Sequence, residues 1–255
     1  MKRFSRAKLT LLSTALMIGT ALPAAAIDLS NMSEAEREAF RNEVRAYLLE
    51  NPEVIMEAVS VLEERQAAQA AMDDLALVRV NAEALFNDGY SHVAGNPDGD
   101  VTIVEFVDYR CGYCRKAYDE VTELLEKDKG IRLILKEYPI LGEDSLNSSR
   151  FAISAQLLFG EDAYEKLHPA LITLRGSASI GNLIALADDL GLDGKAIAKG
   201  MTADRVDEIL GENHALARRL QISGTPAFVM GEQLARGYMP LAQMEAFVSD
   251  IRSAQ

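Results

Sequence analysis

The sequence predicts an α/β domain with a large helical insertion, preceded by an N-terminal helical arm. Three observations lead there. First, the β-branched and aromatic run "VTIVEFVDY" (101–109) is followed by a helical stretch and a second apolar run, "IRLILKEYPI" (131–140), the pattern of a strand–helix–strand unit. Second, residues from about 143 to 218 read as successive helical segments with no strand among them. Third, "GTPAFVMGEQLARGYMP" supplies two short strands about a turn at Gly231, and "LAQMEAFVSDIRSA" closes the chain as an amphipathic helix.

The elements follow in order. Lys2, Arg3, Arg6 and Lys8 precede an uncharged apolar stretch, and Ala24 and Ala26 fit a small-residue cleavage site, so residues 1–26 read as a secretory signal peptide. The apolar stretch is shorter than the roughly 20 residues a membrane span needs. Residues 27–88 read as a helical arm and linker. Ser33 and Glu36 form a capping box, Phe40, Val44 and Leu48 share one stripe, and Asn51-Pro52 suits a new helix start. Val54, Val61, Ala68, Leu75 and Ala82 recur every seventh residue, with Arg65 and Arg79 interrupting the companion seam, a weak coiled-coil pattern. "AGNPDGDV" is a turn-rich boundary, and residues 89–255 form the second domain. Within it, "VTIVEFVDY" is apolar on both faces and suits a strand covered on both sides.

The chain has 255 residues and a formal charge of −13, which removal of the basic leader would deepen. It is long enough to bury a core without staples, and its acidity excludes a nucleic-acid partner of the usual basic-surface kind. Export implies an oxidising compartment, where a cysteine pair invites a redox reading.

The two cysteines, Cys111 and Cys114, lie two residues apart in "DYRCGYCRK". A zinc site needs about four ligands, and only His92, His168 and His214 could join them. A disulfide between near neighbours constrains the unfolded chain little. A reactive centre fits better. Cys111 would stand at the start of the helix leaving the strand, where free amides and the helix dipole favour a thiolate. Arg110, Arg115 and Lys116 add positive charge nearby, with Asp108 opposing. Cys114, one turn on, can attack a mixed disulfide formed on Cys111. Glu105, flanked by Val104 and Phe106 in the middle of the strand, should have a raised pKa and can pass a proton to and from Cys114. Lys136 in the next strand can lie beside Glu105 as its buried partner. Thr225-Pro226 heads a downstream strand, and a cis bond there would set an open backbone edge beside the cysteines for an extended client chain.

The order of these elements, with "VEFVDYRCGYC", "KEYPILG" and "GTPAF", resembles the thioredoxin fold with a helical insertion found in the DsbA family of periplasmic thiol-disulfide oxidoreductases. The resemblance covers residues from about 90 to 255. It implies that Cys111 is the nucleophile, Cys114 the resolving thiol, Glu105 the buried acid and Pro226 a cis-proline, with Thr225, Gly112 and Tyr113 meeting the client. Gly112-Tyr113 and Thr225 depart from the Pro-His and Val of DsbA itself and are like those of the isomerase DsbC. "YLLENPEVIMEAV" is similar to the oligomerising segment of the ScsC group, whose link to copper tolerance makes Cu(I) capture by two thiolates conceivable. The resemblance implies no dissociable cofactor and no bound metal. It implies exported clients with cysteines and a membrane reductase or oxidase as redox partner; the ScsC group includes trimers and monomers, and the arm's uncovered apolar stripes lead to a homotrimer as the expected assembly. The expected function is a periplasmic thiol-disulfide oxidoreductase that acts as a disulfide isomerase on exported proteins, with a DsbA-like oxidase and a copper-binding or chaperone protein as the alternatives.

Overall fold

The computed structural model describes residues 31–254; the expected signal segment lies outside the described residues. These residues divide into two compact units between Val61 and Leu62.

The first unit holds α1 (Glu34–Glu50) and the start of α2 (Glu53–Val80). The capping box is present: Glu36 N–H donates to Ser33 Oγ and Ser33 N–H to the Glu36 carboxylate at 2.8 Å. Asn51 closes α1 by donating its side chain to the Tyr47 carbonyl, so it finishes the first helix. None of α1 is buried. Phe40, Val44, Leu48 and Ile55 line a shallow apolar groove, and Tyr47, Met56 and Val59 are exposed.

The second unit is built on a five-stranded sheet. Its strands are β1 (His92–Gly95), β2 (Val101–Val107), β3 (Ile131–Glu137), β4 (Ala227–Met230) and β5 (Gln233–Arg236), ordered β1-β3-β2-β4-β5. Only β2 and β3 pair parallel, as the crossover helix α4 (Gly112–Lys127) requires. β4 and β5 form a hairpin turning at Gly231, whose φ of +60° suits glycine. The insertion consists of α5 (Glu143–Phe159), α6 (Glu161–Thr173), α7 (Ile180–Asp189), α8 (Gly194–Gly200) and α9 (Asp204–Arg219), and α10 (Leu241–Ser253) ends the fold.

The central strands are apolar on both faces because both are covered. Ile103, Val107, Leu133 and Leu135 pack with the cysteines and with residues of α4, α6 and α10. Val104, Phe106 and Ile134 pack with Leu216 of α9 and Leu220 just after it, with Val78 and with Leu85 of α3 (Ala82–Phe86). Burial of Val78 and Leu85 thus places the end of α2 and all of α3 against the sheet, although the sequence grouped residues up to 88 with the arm. Arg79 with Glu232 and Arg236 with Asp74 hold the same stretch of α2 on the β4–β5 hairpin.

Lys136 does not pair with Glu105. The parallel register sets Lys136 opposite Phe106 and Glu105 opposite Leu135, so the two side chains leave opposite faces of the sheet. Lys136, fully buried, instead binds Asp88 and donates to the Ala84 carbonyl at 2.8 Å, fixing the chain before β1 to the sheet. Lys136→Met leaves the Asp88 carboxylate without its charged partner, with the Ser91 and Tyr90 donors remaining. The expected loss is about 3–5 kcal/mol, the usual result of breaking a buried pair, read as a lower denaturant midpoint.

Candidate active site

β2 runs straight into the site. Its strand ends at Val107, and a tight turn follows in which Cys111 N–H donates to the Asp108 carbonyl at 3.0 Å. Asp108 is fully buried, and its carboxylate accepts from the backbone N–H of Arg110 (2.8 Å), Ile140 (2.7 Å) and Leu141 (3.1 Å). It therefore ties the cysteine loop to the loop after β3. Cys111 is the N-cap residue of α4, Gly112 and Tyr113 are exposed in the first turn, and Cys114 is fully buried one turn on. Both cysteines are free thiols.

The position polarises the pair. Cys111 is lowered to about 5, first by the Cys114 thiol beside it, then against partial burial by the Thr225 hydroxyl and the backbone N–H groups of Cys114 and Tyr113. Cys114 is held well above the ordinary thiol range, first by the Cys111 thiolate it faces, then by burial and the charge of Glu105. The expected contribution from Arg110 and Arg115 is not what lowers Cys111. Arg115 donates to the Ile172 carbonyl at 2.9 Å and Arg110 to that of Leu174 at 3.3 Å, so both arginines cap the C-terminal end of α6. Lys116 lies 4.2 Å over the Tyr238 ring.

The Thr225–Pro226 peptide is cis, and the Cys111 thiol reaches the Thr225 carbonyl at 3.1 Å. The Thr225 hydroxyl is buried with no partner of its own among the described residues, which leaves it available to a thiolate. Glu105 leaves β2 on the cysteine face, 4% exposed, and makes no hydrogen bond or ion pair among the described residues. Burial alone raises it to about 8. The carboxyl group borders a cavity of about 660 Å³ between the sheet, α4 and α6, with His168, Tyr118, Leu133 and Leu135 among its walls. Glu105 thus bears electrostatically on Cys114 and also borders a space that admits water.

The structure brings Cys111, Cys114, Glu105, Gly112, Tyr113, Thr225 and Pro226 into one site and leaves Lys136 on the far face. The sequence reading missed the role of Asp108 as a backbone tie. It also missed a buried cluster behind the nucleophile: Tyr109, Glu137, Tyr164 and His168. The alternation along "KEYP" sets Glu137 opposite in face to Lys136, and the register with β2 makes that face the one Glu105 uses.

A thioredoxin family profile matches residues 87–250, and the profile of the copper resistance protein ScsC N-terminal domain matches residues 36–69. A thioredoxin-like oxidoreductase from Silicibacter pomeroyi has a similar structure, with TM-score 0.64 and 39% identity over 68% of this chain and 98% of that one. ScsC from Proteus mirabilis, in a transitional conformation, gives TM-score 0.65 at 26% identity over 88% of this chain and 100% of that one. The Na(+)/H(+) antiporter NhaA 1 of Salinispora arenicola is 27% identical over 159 residues, 62% of this chain. The chain spans about a quarter of the length of the curated relatives it matches. Among the described residues no helix is long and apolar enough to cross a membrane.

Proposed function

The chain belongs to the thioredoxin family, in its DsbA-like, ScsC-bearing branch, and on that premise we propose that it is a periplasmic thiol-disulfide oxidoreductase that isomerises disulfides in exported proteins. The observation that carries this reading is the polarised pair: a thiolate at Cys111 beside a protonated, buried Cys114.

The Cys111 thiolate attacks one sulfur of a client disulfide. A Cys111–client S–S bond forms, the client S–S bond breaks, and the second client sulfur leaves as a thiolate. In isomerisation that client thiolate attacks another client disulfide, and a client thiolate finally displaces Cys111, with no net oxidation. If the client stalls, Cys114 resolves the complex: its sulfur attacks Cys111, the client leaves reduced, and the pair is left oxidised. Loss of the Cys111 negative charge in the mixed disulfide removes the largest cause holding the Cys114 proton. Glu105 in its ionised form takes that proton and exchanges it with water in the adjoining cavity. Thr225-Pro226 and the exposed Gly112-Tyr113 turn form the edge that meets the client. The low pKa of Cys111 stabilises the dithiol form and so makes the disulfide form oxidising, a property that an oxidase and an isomerase share.

The direction rests further on the first unit. Phe40, Val44, Tyr47, Ile55, Met56 and Val59 are all exposed there, a surface that a second and third copy of the same segment would cover. A homotrimer sets several dithiols around one client, while a membrane reductase keeps them reduced. A chain beginning at Leu62 should be monomeric by light scattering, keep dithiol oxidation and lose most of its ability to reshuffle a scrambled disulfide client. Equal reshuffling by the shortened chain would show that the arm serves something other than catalysis, and failure of the full chain to reshuffle would favour a DsbA-like oxidase. A second reading, Cu(I) capture on the two thiolates, is favoured by the copper-resistance match at 36–69. A copper carrier would bind Cu(I) through both cysteines yet leave a scrambled client unchanged.

A further inference from the structure

The exchange chemistry leaves one buried acid without a role. Glu137 is the last residue of β3 and 3% exposed, inside the "KEYPILG" motif. Its carboxylate accepts three hydroxyls: Tyr109 at 2.7 Å and Tyr164 at 2.6 Å on Oε1, and Ser149 at 2.6 Å on Oε2. Ser149 belongs to α5 and Tyr164 to α6, whereas Tyr109 lies in the turn that delivers Cys111. Asn213 of α9 also donates to the Glu137 carbonyl at 3.1 Å. One residue therefore joins the sheet, three helices of the insertion and the cysteine loop.

The donor count explains why an acid stands here. Tyr109 spends its O–H on Glu137, so His168 Nδ1, 3.0 Å from the Tyr109 oxygen, must carry a hydrogen and donate it. Burial keeps His168 neutral, with a pKa of about 3, so one hydrogen on Nδ1 is the form that fits. All three hydroxyls donate to Glu137 as placed, two to one oxygen and one to the other, and an ionised carboxylate accepts all three. Burial pushes Glu137 up to about 7 while the three donors pull it down. A buried carboxylate is costly, and an apolar side chain of similar volume would spare that cost but release Tyr109.

We propose that Glu137 is a positioning residue for the nucleophile: through Tyr109 it fixes the turn that aims the Cys111 sulfur at the start of α4, making the helical insertion part of the active loop. Tyr109 is fully buried two residues before Cys111, inside the turn closed by the Cys111 N–H to Asp108 carbonyl bond. Releasing its hydroxyl lets this turn relax, and Cys111 then loses its alignment with the Cys114 thiol and the α4 amides that favour its thiolate.

This inference rests on the reading of Cys111 as a thiolate nucleophile, and one experiment separates the two. Thiolate absorbance is titrated in the full chain, in Glu137→Met and in Tyr109→Phe. Both variants should move the Cys111 inflection upward by about one pH unit, a tenfold loss of thiolate preference. The double variant should shift it no further, because both changes break the same link. If Glu137→Met fails to fold, Tyr109→Phe decides alone, since it keeps the ring in the core. A wild-type inflection near 5 that neither variant moves overturns this inference and leaves the nucleophile standing. A wild-type inflection near 9 overturns both.

Discussion

Cys111→Ser is expected to reduce disulfide exchange to background, while Cys114→Ser is expected to stop the enzyme midway. A serine hydroxyl at 111 stays protonated at neutral pH and cannot attack a disulfide sulfur. The wild-type thiol, lowered to about 5, is almost wholly thiolate there. Cys114→Ser keeps the attacking sulfur and removes the one that resolves. It should accumulate covalent complexes with clients that a reductant releases, visible as higher-mass species on non-reducing gels. It should also raise the Cys111 pKa somewhat, because the Cys114 thiol is the largest single cause of the thiolate's stability and a hydroxyl replaces it imperfectly. Equal exchange by Cys111→Ser and wild type would remove this cysteine from the chemistry.

Glu105→Gln is expected to slow resolution and to stabilise the fold in alkali. The carboxyl has no hydrogen-bonded partner among the described residues, so the amide keeps its shape without breaking a bond the structure shows. Losing a positioned base should slow the Cys114 step about 100-fold at neutral pH, the ordinary scale for general acid–base catalysis. The stability effect has the opposite sign. Glu105 titrates at about 8 in the folded chain and near its ordinary value of 4.5 when unfolded. Between those limits the folded state holds a proton that the unfolded state has released. Wild-type stability therefore falls as pH rises through this window, by about 1.4 kcal/mol per pH unit from this one group. The glutamine variant escapes that loss. Its denaturant midpoint should exceed the wild type's at pH 8 and converge on it below pH 4.5. Parallel pH profiles for the two proteins would mean that Glu105 is not buried as an isolated acid.

The parts of the site that the sequence made legible lie in short runs. Cys111, Cys114 and Glu105 share one strand–turn–helix segment, so chain direction and helix-start chemistry place them without knowledge of the rest. Thr225-Pro226 is distant, and the order of elements together with the family resemblance brought it in. The Glu105–Lys136 pairing failed for a specific reason. Both residues sit in buried neighbouring strands, but which face each uses depends on a register that composition does not encode. A one-residue difference in that register inverts every neighbour. The arginines flanking Cys111 looked like local charge because the α6 carbonyls they cap are some 60 residues away in sequence. The Glu137 cluster stayed hidden likewise, since Tyr109, Ser149 and Tyr164 meet only once the insertion has docked. The helical arm read correctly as helix from its capping box and apolar stripes. Where it meets the sheet depends on Val78 and Leu85, whose burial no heptad pattern announces.

The central claim is that the fold turns Cys111 into a thiolate at neutral pH while Cys114 remains a thiol. Thiolate absorbance of the reduced chain, followed from acid to alkali, tests it most directly. The account predicts one inflection near pH 5, absent from Cys111→Ser, and no second thiol inflection across the neutral range. A single inflection near pH 9, or one near 5 that persists in Cys111→Ser, would contradict it.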